Sequence, residues 1–106
     1  MKMWCFGARF DDKTNMWMNS SEIEEVDVPD ETAEKIKSSE SQFGEDTKFG
    51  ELYDKENKAV LYAFDKKETA ASSLFFFVAG RTYQDRPLTM LENWQKQTRG
   101  VVAEEN

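Results

Sequence analysis

A chain of 106 residues, 39 % apolar and 13 % aromatic, is long enough for one domain with its own core, too short for two, and too rich in Phe, Tyr and Trp for a disordered acidic segment. Its formal charge of −7 arises in one stretch: Asn19 to Glu56 holds 13 carboxylates against four lysines, net −9, whereas the flanks Met1–Met18 and Asn57–Asn106 are each +1. Such a field repels nucleic acid and anionic membrane and favours a basic partner surface, and the lack of any histidine excludes Ser-His-Asp and Cys-His catalysis and His-ligated metal sites.

Lys2 to Asp11 alternates Trp4, Phe6, Ala8 and Phe10 against Met3, Cys5 and Arg9, which predicts a first strand with a strongly apolar face. Asp11-Asp12-Lys13-Thr14-Asn15 is turn chemistry leading into a short second strand at Met16-Trp17-Met18. Glu22 to Val28 is expected to be extended, with Val26 and Val28 on the face of Glu24 and Ile23 apart. Pro29-Asp30-Glu31-Thr32 predicts a helix start in which the Asp30 carboxylate caps the first-turn amides, and the helix runs to about Ser39 with an apolar stripe of only Ala33 and Ile36. Ser38 to Lys48, around Gly44, reads as a polar loop.

Phe49–Tyr53 and Lys58–Phe64, joined through Asp54-Lys55-Glu56-Asn57, read as a β-hairpin. Its second strand is apolar on both faces, Val60, Tyr62 and Phe64 on one and Ala59, Leu61 and Ala63 on the other, so it is expected in the centre of the sheet. Asp65 is placed as the cap of a helix within Lys66–Tyr83 in which Ala71, Leu74, Phe75 and Val78 recur at helical spacing; Leu74–Val78 alone fits a buried strand equally well. After the interruption at Arg86-Pro87, Thr89 and Glu92 match a reciprocal capping pattern for a last helix ended by Gly100, with residues 101–106 as a frayed tail. The expected whole is one α+β domain over residues 1–100, a small antiparallel sheet with two or three helices.

No cofactor motif is present. Gly44, Gly50 and Gly80 build no phosphate-cradling loop, and the pairs Asp11/Asp12 and Asp27/Asp30 read as turn and cap residues rather than a calcium loop. Arg81, Tyr83, Arg86, Trp94, Lys96 and Arg99 are residue types that bind single strands, yet a segment of net +1 fits a solvated helix face better. Cys5 sits in an apolar run as an inert thiol, and the longest apolar run, Leu74–Gly80, is far below the ~20 residues of a membrane span. A cytoplasmic, non-enzymatic protein is expected.

The acid admits two readings. It is a solvated surface, or the carboxylates Glu22, Glu24, Glu25, Asp27, Asp30 and Glu31, with Glu45, Asp46, Glu51, Asp54 and Glu56 of the hairpin region, line one side of the domain and imitate a row of phosphates. A mimic of that kind occupies the basic channel of a nucleic-acid enzyme, as a phage or mobile-element inhibitor of host CRISPR or restriction defence would, and binds less tightly as salt rises.

The aromatic first strand, the segment Glu25-Val26-Asp27-Val28-Pro29-Asp30-Glu31-Thr32-Ala33, the hairpin Asp54-Lys55-Glu56-Asn57-Lys58-Ala59-Val60-Leu61 and the late Leu91-Glu92-Asn93-Trp94-Gln95-Lys96 together resemble the phage tail-fibre assembly chaperones over about half the chain. The Gly-rich segment before the hairpin and the Gly-x-Pro turn of that family are not present. The resemblance implies a binding protein without catalysis that caps or helps fold a fibre tip.

Overall fold

The alternation in Lys2–Asp11 gives a long strand, β1 (Lys2–Asp11), that uses its backbone on both sides. In the computed structural model, which describes residues 1–38 and 49–105, it is followed by β2 (Met16–Asn19), β3 (Glu24–Asp27), α1 (Asp30–Ser38), β4 (Phe49–Asp54), β5 (Ala59–Phe64), α2 (Lys67–Leu74), β6 (Val78–Ala79) and α3 (Pro87–Glu105). The expected polar loop around Gly44 lies outside the described residues.

The sheet runs β4-β5-β1-β2-β6, with β3 also paired to β1. All pairs are antiparallel except β2 with β6, which makes the sheet mixed. Both hairpin turns form as their sequences predict: Asp11 accepts bonds from Lys13 N–H (3.2 Å) and Thr14 Oγ1 (2.9 Å), Asp54 accepts from the Asn57 side chain (2.7 Å), and Asn15 (φ 58°) and Lys58 (φ 48°) take the left-handed conformation that reverses the chain.

β5 is the central strand its two apolar faces predict, buried at every position between β4 and β1. One face of the sheet presents Met3, Cys5, Val26, Leu52, Leu61 and Ala63 to Ala33 and Ile36 of α1 and Leu91 of α3, with Met90 and Trp94 at the margin. The other presents Phe6, Ala8, Val60, Tyr62 and Phe64 to Ala70 of α2, flanked by Trp4, Trp17, Ile23, Leu74 and Phe77. Ile23 and Val26 thus do fall on opposite faces. The rings of Phe6, Tyr62, Phe64 and Phe77 stack or meet edge-on within 6 Å.

Four local expectations are corrected. The helix expected through Tyr83 stops at Leu74: amides of Phe76 and Phe77 bond back to Ser73 and Leu74 carbonyls in tight turns, and the chain then returns as β6 beside β2. Phe77 turns inward, whereas Phe75 and Phe76 stand 89 % and 75 % exposed, so the run Leu74–Val78 is neither helix nor buried strand. Asp65 does not cap α2, whose N-cap is Lys66 without a side-chain bond. Asp30 is the first residue of α1, and its carboxylate meets the Met1 ammonium at 3.3 Å. α3 starts at Pro87 rather than at the Thr89 capping pattern, because a first-turn position needs no amide; Thr89 therefore lies inside the helix, and Gly100 does not end it.

Burial on opposite faces of one strand makes Val60 and Leu61 separate tests of the two cores. Truncating either to Ala is expected to lower unfolding free energy by about 1–4 kcal/mol through lost transfer energy and a cavity. Denaturant midpoints should fall with unchanged slope in both variants; a variant with no loss would show that its face carries no core.

Candidate functional site

β2 and β3 are two halves of one strand running antiparallel along β1. Ala8 pairs with Asn19 and Cys5 with Glu24, so Phe6 and Gly7 on β1 face the four residues Ser20–Ile23. The surplus forms a bulge, a feature that re-aims side chains at sheet edges. It is held by side chains the sequence places there: Gly7 N–H donates to Ser21 Oγ at 2.6 Å, Ser20 N–H donates to Gly7 O at 2.9 Å, and Asn19 Nδ2 donates to Ser21 O at 2.6 Å. Opposite it the flexible end of the Met90 side chain lies against Gly7, where an added Cβ would require Sδ and Cε to move aside.

The segment between β6 and α3 docks on this bulge. Gly80 N–H donates to Asn19 O (3.0 Å) and Asp85 N–H to Ser20 O (2.9 Å). Arg9 clasps Asp85 through Nε (2.5 Å) and Nη2 (3.1 Å) and lies 5.1 Å from the Tyr83 ring centre; the bond to Asp85 holds its guanidinium pKa above the ordinary value. Between Ser20–Glu24 and Arg81, Gln84, Asp85, Arg86 and Pro87 lies a groove of about 430 Å³. Arg81 reaches across to Glu22 (2.9 Å) and Arg86 to Glu24 (2.6 Å). Gln84 adopts φ 45°, and the buried Ser20 hydroxyl lacks a hydrogen-bond partner among the described residues.

The acidic residues fall into two groups. Glu22 and Glu24 are tied to arginines, and Asp27 and Asp30, 80 % and 95 % exposed, share the Met1 ammonium at 3.3 Å each. Glu25 on β3 and Glu31 on α1 are exposed and make no ion pair among the described residues. The hairpin residues lie elsewhere: β4 is at the opposite edge, with β5 and β1 between it and β3, a distance of roughly 14 Å at ordinary strand spacing. There Glu51 is half-buried, which pushes its carboxyl up; Asp54 is occupied by Asn57 (2.7 Å) and Gln97 (3.4 Å), and Glu56 is exposed in the turn. Glu45 and Asp46 lie outside the described residues. The carboxylates therefore do not form one row, although α1, packed on β4, carries Asp30, Glu31 and Glu34 between the two edges.

In the sequence Arg81 and Arg86 stand out only as part of a basic C-terminal segment. Their pairing with residues 59 and 62 positions away leaves no local spacing signal. Among the described residues, no group of three His, Cys, Asp or Glu side chains is arranged to hold a metal ion, and no helix is long and apolar enough to cross a membrane.

Cys5 is fully buried on β1, and burial, reinforced by Glu24, pushes its thiol up to about 12. A folded-state value above the unfolded value of 9.0 means that this group supports folding while protonated, and that its support is lost as pH rises from about 9 through about 12. The native protein at pH 8 is expected to resist a thiol reagent that labels it fully once denatured; rapid native labelling would contradict the burial. No protein-family model matches this chain, and neither the characterised proteins nor the solved structures compared with it give a match.

Proposed function

We propose that this is a non-enzymatic acidic binding protein of phage or mobile-element origin that inhibits a host nucleic-acid-binding defence enzyme, of the anti-CRISPR or anti-restriction kind, in the host cytoplasm. The observation that supports this reading is the band of exposed carboxylates on consecutive elements β3 and α1: Glu25, Asp27, Asp30 and Glu31. One ammonium shared by Asp27 and Asp30 leaves that band strongly negative. A basic channel evolved to hold phosphates would attract it at long range, and salt would weaken the contact. Glu22 and Glu24 take a lesser part, since arginines of the same chain already face them.

A second reading has its own support. Phe75 and Phe76 project from the turn after α2 beside exposed Val78, and exposed aromatic side chains of this kind are characteristic of contact surfaces. They would suit a tail-fibre assembly chaperone gripping an apolar fibre tip.

Charge reversal separates the two. Glu25→Lys with Glu31→Lys should weaken inhibition of DNA cleavage, measured across a panel of CRISPR and restriction nucleases, by about ten-fold or more while the melting temperature holds, because exposed charges add little to stability. Nucleic acid should compete with the protein for the enzyme. If no nuclease responds to the wild-type protein, and Phe75→Ser with Phe76→Ser abolishes capture of a tail fibre, the chaperone reading replaces the first.

A further inference from the structure

The outer edge of the β2–β3 line is covered as far as Ser20 and bare beyond it. β6 pairs with β2 there, and the amides of Gly80 and Asp85 take up the carbonyls of Asn19 and Ser20. Past the bulge the register fixes which groups remain. Val28 N–H bonds Met1 O and the Met1 ammonium bonds Val28 O, both at 2.8 Å. Alternation along an antiparallel ladder then turns the backbone groups of Val26 and Glu24 toward β1, and those of Glu25 and Asp27 outward. No strand or loop among the described residues pairs with these outward amides and carbonyls.

We propose that this edge is where the basic partner engages, by laying an extended segment of its own chain along β3 as an added strand with Lys or Arg opposite Glu25 and Asp27. The inference rests on the acidic-binding reading above and specifies the element bound. Residues opposite Glu25 and Asp27 in an added antiparallel strand exchange backbone hydrogen bonds with them and project side chains on the same face, close enough for each carboxylate to meet its cation. The same acid gives selectivity. A second copy of this edge would set carboxylate against carboxylate, and an apolar strand would strip water from unpaired charge, so a basic strand is the composition the edge admits. Beyond the Glu24 end lies the groove of about 430 Å³, where Arg81 and Arg86 already hold Glu22 and Glu24, so the added strand is confined to the Glu25–Asp27 end of the edge.

The test uses the whole protein and a short synthetic peptide alternating Lys and Thr. At saturation, amide hydrogen exchange at Glu25 and Asp27 is expected to slow about ten-fold or more, the signature of new backbone bonds. Two methylated peptides of identical charge separate strand addition from simple attraction. N-methylation of the lysine amides, which face β3, should weaken binding about ten-fold or more and abolish the protection; N-methylation of the threonine amides, which face away, should do neither. Equal binding of both methylated peptides, or protection that maps to β4 instead, would overturn strand addition while leaving charge-driven docking intact. A Lys/Thr peptide that binds no better than a Glu/Thr peptide would overturn both.

Discussion

The short bond from Gly7 N–H to Ser21 Oγ governs everything on the β2 side of β1. Gly7 points its amide toward a strand that has left register, and a buried amide without an acceptor costs about 1–3 kcal/mol. A hydroxyl in place of the missing strand carbonyl removes that cost and permits the bulge. Once the bulge exists, the carbonyls of Asn19 and Ser20 face outward to receive the chain from Gly80 to Asp85. That chain ends in Pro87, so the start of α3 and the placement of Leu91 and Met90 over the core follow from a contact some distance away. Gly7 serves the same junction twice, since the end of the Met90 side chain lies where a Cβ would displace it.

Much of the sheet was legible because its signals are local. Alternation in Lys2–Asp11, Asp and Asn at two turns, and apolar residues on both parities of Ala59–Phe64 each specify structure within a few residues. What was not legible depends on distant partners. Leu74–Val78 carries helical spacing, yet Phe77 is claimed by Phe6 and Tyr62 and Val78 by β2, so tertiary packing ends the helix that local periodicity would continue. Arg86-Pro87 reads locally as a break, and the bond from Met90 N–H to Arg86 O makes it the first turn of α3 instead. The candidate site was half legible: its carboxylates stand out by composition, while the arginines that occupy two of them come from the other end of the chain.

That pairing changes the meaning of the acidic composition. Within Glu22–Glu31, four of six carboxylates have a cation within 3.3 Å, and the pairs lie at the surface where solvent screens them. Such pairs exchange readily. They fix the local course of the chain without cancelling the field that a partner meets at a distance, which is set by net charge rather than by individual contacts.

The central place of β1 also bears on biosynthesis. The strand leaves the ribosome well before β5, which covers its other hydrogen-bonding side from Trp4 to Arg9 and emerges only after the hairpin at Asp54–Lys58. At ordinary elongation rates of about 5–20 residues per second, Trp4, Phe6 and Phe10 wait on the order of seconds with only β2 and β3 to pair with. During that interval the nascent chain is an aromatic three-strand unit of β1, β2 and β3 followed by a long run of carboxylates. The acid that shapes the finished surface thus also keeps neighbouring nascent chains apart until the core can close.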